Sequence, residues 1–267
     1  MNRLTIAIPT FRRPQDLKRA VSGVLEQAGE LVGGSSAEAR EPEGDAAGAA
    51  DVDGVAGRGV SDVEVLVIDN DTQGTGREAA LAAAADAGVP VRSSAEAPEE
   101  PGGVGLRYVV EERPGVAAVR NRALDETGGR DLLVFIDDDE EPEPGWLAAL
   151  VGLWASTGCQ AVAGPVIPVY DVEPEAWVRQ GEFFVRRTWP TGTVRPVAAS
   201  NCLLLDLGFV RRAGLRFDEA FGATGGEDTL FTRRLSAAGG VIRWCDEARV
   251  RDHVPASRLT RTWILRR

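Results

Sequence analysis

Four times before residue 137 a short apolar run gives way to a stretch with apolar side chains at helical spacing. The runs are residues 4–8, 63–68, 106–110 and 131–136. The helical stretches open at Pro14, with Leu17, Ala20, Val21, Val24 and Leu25 on one face, and then cover 77–87, 116–126 and 145–157. Strand followed by helix, repeated, predicts a mostly parallel central sheet with helices on both faces, an α/β chain. Ligands of such sheets bind at the carboxyl ends of the strands. Thr10, Asp69 and the run Asp137-Asp138-Asp139 all fall there.

The pattern loosens after residue 157. A strand is expected over 161–166, then an irregular stretch holding Tyr170, Trp177, Phe183, Phe184 and Trp189. Order returns at 199–205, in a helix opened by Gly226-Glu227-Asp228, in a strand over 241–244, and in an amphipathic stretch from Ser257. At 267 residues this makes one large domain or two small ones.

The net charge of −11 is concentrated. Residues 29–62 carry eight acids against two arginines, and residues 86–100 four acids against Arg92, leaving −2 for everything else. With almost nothing large to bury, 29–62 reads as a flexible surface insertion and 88–103 as a second loop. The acidity then describes solvated segments, and nucleic acid is excluded as a partner for want of a clustered basic stripe. The basic segment is the tail, with six arginines from Arg249 to Arg267 against Asp252.

Scarcity prunes the chemistry. Lys18 is the only lysine and His253 the only histidine, which removes a P-loop and any two-histidine mechanism. Asp69-Asn70-Asp71-Thr72 after an apolar run resembles a phosphatase nucleophile loop, but no lysine follows to hold an aspartyl phosphate. Gly74-x-Gly76 lies too far past its strand, behind two aspartates, to receive a pyrophosphate. Cys159, Cys202 and Cys245 are far apart and read as reduced thiols. With no signal-like start and no run of membrane-spanning length, a cytoplasmic location is expected.

Three adjacent aspartates repel one another unless water or a cation intervenes, so Asp137 to Asp139 is either a solvated acidic turn or a grip on a divalent ion. The segments Leu4 to Arg13, Val65 to Asn70, Gly115 to Leu124, Val134 to Asp139 and Gly225-Gly226-Glu227-Asp228 occur in the order seen in family 2 glycosyltransferases, which the chain resembles from residue 4 to about 255. The resemblance implies a GT-A fold in a single domain over 1–267. Within it, 1–139 would form a nucleotide and metal half, 140–255 an acceptor half, and 256–267 a basic C-terminal helix.

It also implies inverting transfer of a sugar from a nucleotide-diphosphate sugar. Pro9, Thr10 and Arg12 match positions that meet the nucleotide, and Asp69 one that accepts from the base. Arg120 and Asn121 match an element near the diphosphate, where Val119 replaces the family's alanine. Asp137 and Asp138 fall on the nucleotide, Asp139 on the metal, with Mn²⁺ or Mg²⁺ as the implied ion. Asp228, beside Glu227, matches the catalytic base, and His253 a further metal ligand in some relatives. The acceptor would be a glycan, a lipid-linked molecule or a small molecule, with peripheral membrane contact through the C-terminal arginines.

Each residue has a plainer role open to it. Glu227 and Asp228 suit a helix N-terminus, worth under about 1 kcal/mol. Asp69 suits a turn cap, and His253 an ordinary packed position. Arg120 could simply sit on a helix surface, and the tail arginines could pack on the domain. Two other functions fit the same motifs: a catalytically silent sugar-nucleotide or glycan-binding module, and a nucleotidyltransferase of the same fold.

Overall fold

The computed structural model describes residues 1–37, 59–93, 103–221 and 225–266. The first half alternates as expected: β1 (Asn2–Thr10), α1 (Pro14–Ala37), β2 (Val60–Asp69), α2 (Arg77–Asp86), β3 (Gly103–Val110), α3 (Val116–Glu126) and β4 (Leu132–Ile136). Next come β5 (Glu140–Pro142), α4 (Trp146–Thr157), β6 (Ala161–Ala163), β7 (Val166–Tyr170), α5 (Ala176–Gly181) and β8 (Val194–Arg195). β9 (Cys202–Asp206), α6 (Leu207–Arg212), α7 (Glu227–Ala237), β10 (Ile242–Trp244), β11 (Val250–Val254) and α8 (Arg261–Arg266) complete the order.

The main sheet runs β3-β2-β1-β4-β9-β6-β10-β8. The pairs β1–β2, β2–β3, β1–β4 and β6–β10 are parallel, whereas β9 runs antiparallel to both neighbours and β8 antiparallel to β10. Strands buried on both faces read as continuous apolar runs, which is why β4 is wholly apolar and β9 has only its terminal Asp206 as a charged residue. Their alternation still sorts the layers. Leu4, Ile6, Val65, Val134 and Leu204 pack under α1, α2 and α4, while Ala7, Leu66, Phe135 and Leu203 face α3, α6 and α7.

Three expectations need correction. The insertion at 29–62 is narrower, because α1 continues to Ala37 and β2 begins at Val60, with 38–58 outside the described residues. The acids counted into that segment are not all solvated: Asp62 is 2% exposed and ion-paired with Arg130 and Arg92, beside the buried Glu64–Arg107 pair. In the second loop Val91 bridges Leu106, and 94–102 lies outside the described residues.

The single strand expected over 161–166 is two strands in different sheets. Gly164 is the break: a Cβ there would sit 2.1 Å from the Ala248 carbonyl oxygen, and Pro165 follows. β7 joins β11 and β5 in a small sheet of order β5-β11-β7 beneath the carboxyl edge.

The C-terminal segment packs on the domain. Trp263 stacks on Phe184 at 5.7 Å, in a small cluster with Val178 and Val254. Among the described residues no helix is long and apolar enough to cross a membrane.

Candidate active site

β1, β2 and β4 end side by side, with Thr10 in register with Asp69 and β4 leading directly into Asp137. A cleft of about 320 Å³ opens over these ends and the start of α3, lined among others by Pro9, Thr10, Phe11, Arg13, Arg120 and Asp137 to Asp139. The carboxylates form a graded series. Asp138 is nearly buried, accepts from Thr10 Oγ1 at 2.7 Å and from Arg13 at 3.2 Å, and is pushed by burial up to about 6. Burial also raises Asp137, with Arg120 opposing the rise and Asp139 adding to it. Glu140, buried against Asn201 and the Asp137 backbone N–H, lies well above the usual carboxylate range, first through burial and then through the nearby Asp137 charge.

Asp139 is held differently. Arg13 and Arg258 each donate to its Oδ2 at 2.9 Å, and Arg258 also lies 3.7 Å from Asp252. These residues, with Arg186 and Trp263, line a charged pocket of about 340 Å³ that adjoins the cleft through Asp137 and Asp139.

On the other side of Asp137, Arg120 enters from α3. It is 5% exposed, ion-paired with Glu227 and 3.8 Å from Asp137 Oδ1. That guanidinium ties the carboxyl edge of β4 to the first residue of α7, although 107 residues separate it from Glu227. Asp228 follows, partly exposed, its Oδ1 accepting from the Thr229 backbone N–H at 2.6 Å. Thr229 lines a further cleft, which shares Arg186 and Asn201 with the charged pocket. Asp228 thus stands between Glu227, which pairs with Arg120 of the first cleft, and Thr229, which lines the second.

Four residues singled out from the sequence are placed otherwise than expected. Asp69 has no exposed surface, and its oxygens accept from the backbone N–H of Asp71 and Gly76 and from the Tyr108 hydroxyl at 2.6–2.9 Å, so it organises the turn after β2 and does not reach the cleft. Asn121 points away from the cleft. Its amide donates to the Phe217 carbonyl and accepts from the Phe217 N–H, both at 2.9 Å, fastening α3 to the segment before α7.

His253 approaches Glu141 at 3.1 Å and Asp171 at 3.4 Å, not Asp139. Successive strand residues point to opposite faces, and on β11 it is Asp252 that turns toward Asp139, with Arg258 between them. Arg12, a non-glycine residue with φ +56°, reaches outward to Asp71 at 3.2 Å and over the Phe11 ring. That guanidinium holds the Asp71 carboxyl below its usual range.

Pro9, Thr10, Arg120 and Asp137 to Asp139 do line the cleft. Sequence reasoning missed Arg13, Phe11, Glu140, Asp252 and Arg258. Arg13 adjoins Arg12 in the chain, and for Arg258 both membrane contact and packing on the domain were open, because no local signal says which of several arginines turns inward. The donor set suits a hard divalent cation shared with phosphate oxygens. Asp137 and Asp139 both face the cleft, and among the described residues no group of three or more His, Cys, Asp or Glu gathers into an all-protein cage.

Comparison with known proteins agrees with this architecture. The model of glycosyl transferase family 2 matches residues 52–211. Succinoglycan biosynthesis protein ExoM of Rhizobium meliloti (strain 1021) is 35% identical over 168 residues, 61% of this chain and 52% of that protein, so the chain spans about half the length of this curated relative. Residues 1–349 of S. aureus TarS superpose with a TM-score of 0.59 at 12% identity, covering 94% of this chain and 60% of that one. The same TarS segment in complex with UDP-GlcNAc gives 0.58 at 13% identity, covering 94% and 58%.

A mixed sheet with its cleft at the parallel carboxyl edge and helices on both faces is, by these superpositions, the GT-A fold of glycosyltransferases. With the family model matching more than half of its residues, the chain belongs to glycosyl transferase family 2.

Proposed function

We propose that this chain transfers a sugar from a nucleoside-diphosphate sugar to an acceptor hydroxyl with inversion at the anomeric carbon. The observation that carries the reading is the position of Arg120, against Glu227 and Asp137 at once. It ties the first residue of α7, the neighbour of Asp228, to the carboxyl edge of β4, which supports a role for Asp228 at this site. The complexes of TarS with UDP and with UDP-GlcNAc support a donor of this class. ExoM, by its name a protein of succinoglycan biosynthesis, supports a glycan-type acceptor.

In this reading Pro9, Thr10 and Phe11 receive the nucleoside at the end of β1. Asp137 and Asp139 would hold Mg²⁺ or Mn²⁺, which when bound neutralises charge on the diphosphate. Arg13, Arg120 and Arg258 supply fixed positive charge beside it. As the glycosidic bond breaks, negative charge grows on the departing diphosphate, and preorganised guanidinium groups stabilise it there more than in the ground state. The sugar passes through an oxocarbenium-like state while the acceptor oxygen approaches its opposite face. Asp228 takes the acceptor proton. It is partly exposed and held by the Thr229 backbone, so it stays accessible and oriented. Residues 140–255 would contribute the acceptor side.

The test is turnover of a panel of nucleotide sugars with Mn²⁺, with and without glycan acceptors. Slow donor hydrolysis without acceptor, accelerated by an acceptor, is expected. Saturable nucleotide binding with no sugar release under any condition would instead identify a silent binding module.

A further inference from the structure

The second cleft, about 250 Å³, differs in charge from the rest of the molecule. Its wall carries three guanidinium groups, Arg186, Arg187 and Arg195, and no carboxylate, in a chain whose net charge is −11. Trp189 and Trp244 form its apolar side, edge to face with centroids 4.9 Å apart. Arg195 lies over the Trp189 ring, its guanidinium carbon 3.5 Å from the ring centre. That contact fixes the position of the cation without cancelling its charge. Arg186, at the border with the charged pocket, lies 3.8 Å from Asp252 and feels the Asp137 and Glu140 charges, so Arg187 and Arg195 are the arginines that belong to this cleft alone.

Two buried donors here are unsatisfied. Trp244 is 7% exposed, and among the described residues neither its Nε1 nor the Nε of Arg195 has a hydrogen-bond acceptor. Buried donors are nearly always paired, so each marks a place where an acceptor atom is wanted. The cleft also opens at the right place, since Thr229 belongs to its lining and the Thr229 hydroxyl lies 3.3 Å from Asp228 Oδ1.

We infer that this cleft seats an acceptor sugar bearing an anionic substituent, a carboxylate or a phosphate. The arginines receive the anion and the tryptophans the apolar face of the sugar ring. Guanidinium groups bind such oxyanions through paired, charge-assisted hydrogen bonds, and indole rings pack on the C–H faces of sugars. The inference rests on the glycosyltransferase reading and names its acceptor class. It follows that discrimination among acceptors is set here and not at the donor cleft.

The experiment titrates the full chain with three probes, methyl β-glucoside, methyl β-glucuronide and methyl β-glucoside 6-phosphate, following heat and the indole resonances. At least one anionic probe is expected to bind about tenfold or more tightly than the neutral one, and to lose that preference in Arg187→Gln and Arg195→Gln. Preference for the glucuronide alone identifies a uronic-acid acceptor, and for the phosphate alone a phosphorylated one. Equal binding of all three, no binding of any at millimolar concentration, or a preference unchanged in both variants overturns the inference. A parallel titration with nucleoside diphosphates keeps the two readings apart. If nucleotides bind and the probes show no preference, only the acceptor assignment falls. If the charged probe binds through the arginines and no nucleotide does, the anion site stands and the donor reading falls.

Discussion

Arg120 and Glu227 form a buried ion pair between α3 and α7, each side chain less than a tenth exposed. Removing one partner of such a pair strands the other charge in a poorly solvated place, a loss of roughly 3–5 kcal/mol. Arg120→Met and Glu227→Leu are therefore each expected to lower the free energy of unfolding by about that much, and the double variant Arg120→Met/Glu227→Leu by clearly less than the two single losses combined. Urea denaturation of the three variants measures this, and strict additivity would show the pair to be uncoupled.

In the proposed reaction Asp228 acts on the acceptor, and its side chain is held by Thr229 and not by the strand-end carboxylates. Asp228→Asn should leave nucleotide affinity within about twofold of the parent and lower transfer by roughly 10²–10⁴. Calorimetric nucleotide binding beside initial transfer rates separates the two effects. Retention of near-full transfer would move the base elsewhere.

In the proposed reading Asp139 serves the nucleotide chiefly through the cation, while also positioning Arg13 and Arg258. Asp139→Ala is expected to weaken Mn²⁺-supported nucleoside diphosphate binding about tenfold or more, while binding in EDTA is little changed. The same affinity with and without Mn²⁺ in the unsubstituted protein would remove the metal from the reading.

The role of Asp69 is structural on this geometry, and its replacement should register as lost stability before lost chemistry. Asp69→Ala leaves two backbone N–H groups and the Tyr108 hydroxyl without their acceptor, which at about 1–3 kcal/mol for each buried group makes a substantial fall in melting temperature. Tyr108→Phe, which removes one of these bonds, should fall by much less. Calorimetric melts of both decide it, and an unshifted melt for Asp69→Ala would return that carboxylate to the cleft.

Burial pushes the Cys202 thiol up to about 12 and Cys245 up to about 11, and raises Cys159 as well. The raised values disfavour the thiolate, so at pH 8 Cys245 is ionised to about one part in a thousand. Iodoacetamide should label none of the three in the native protein at that pH and all three in denaturant. Mass spectrometry reads the count.

The alternating strands and helices of the first half and the line of acids at the carboxyl edge were legible in the sequence, because periodicity and chain direction are local and each strand must end somewhere, whereas β5, β8, β11, α5 and α6 were not. Asp137, Asp138 and Asp139 could be placed in the cleft from the run Val134-Phe135-Ile136 alone. What each polar group faces was decided by residues far along the chain. Asp69 met Tyr108 and a turn, Asn121 met Phe217, and Arg258 met Asp139. On β11 a single position separates His253 from Asp252, and pleating sends them to opposite faces. Nothing within 250–254 says which face meets the site, because that depends on how β11 pairs with β5 and β7, and this pairing exists only once the chain has closed.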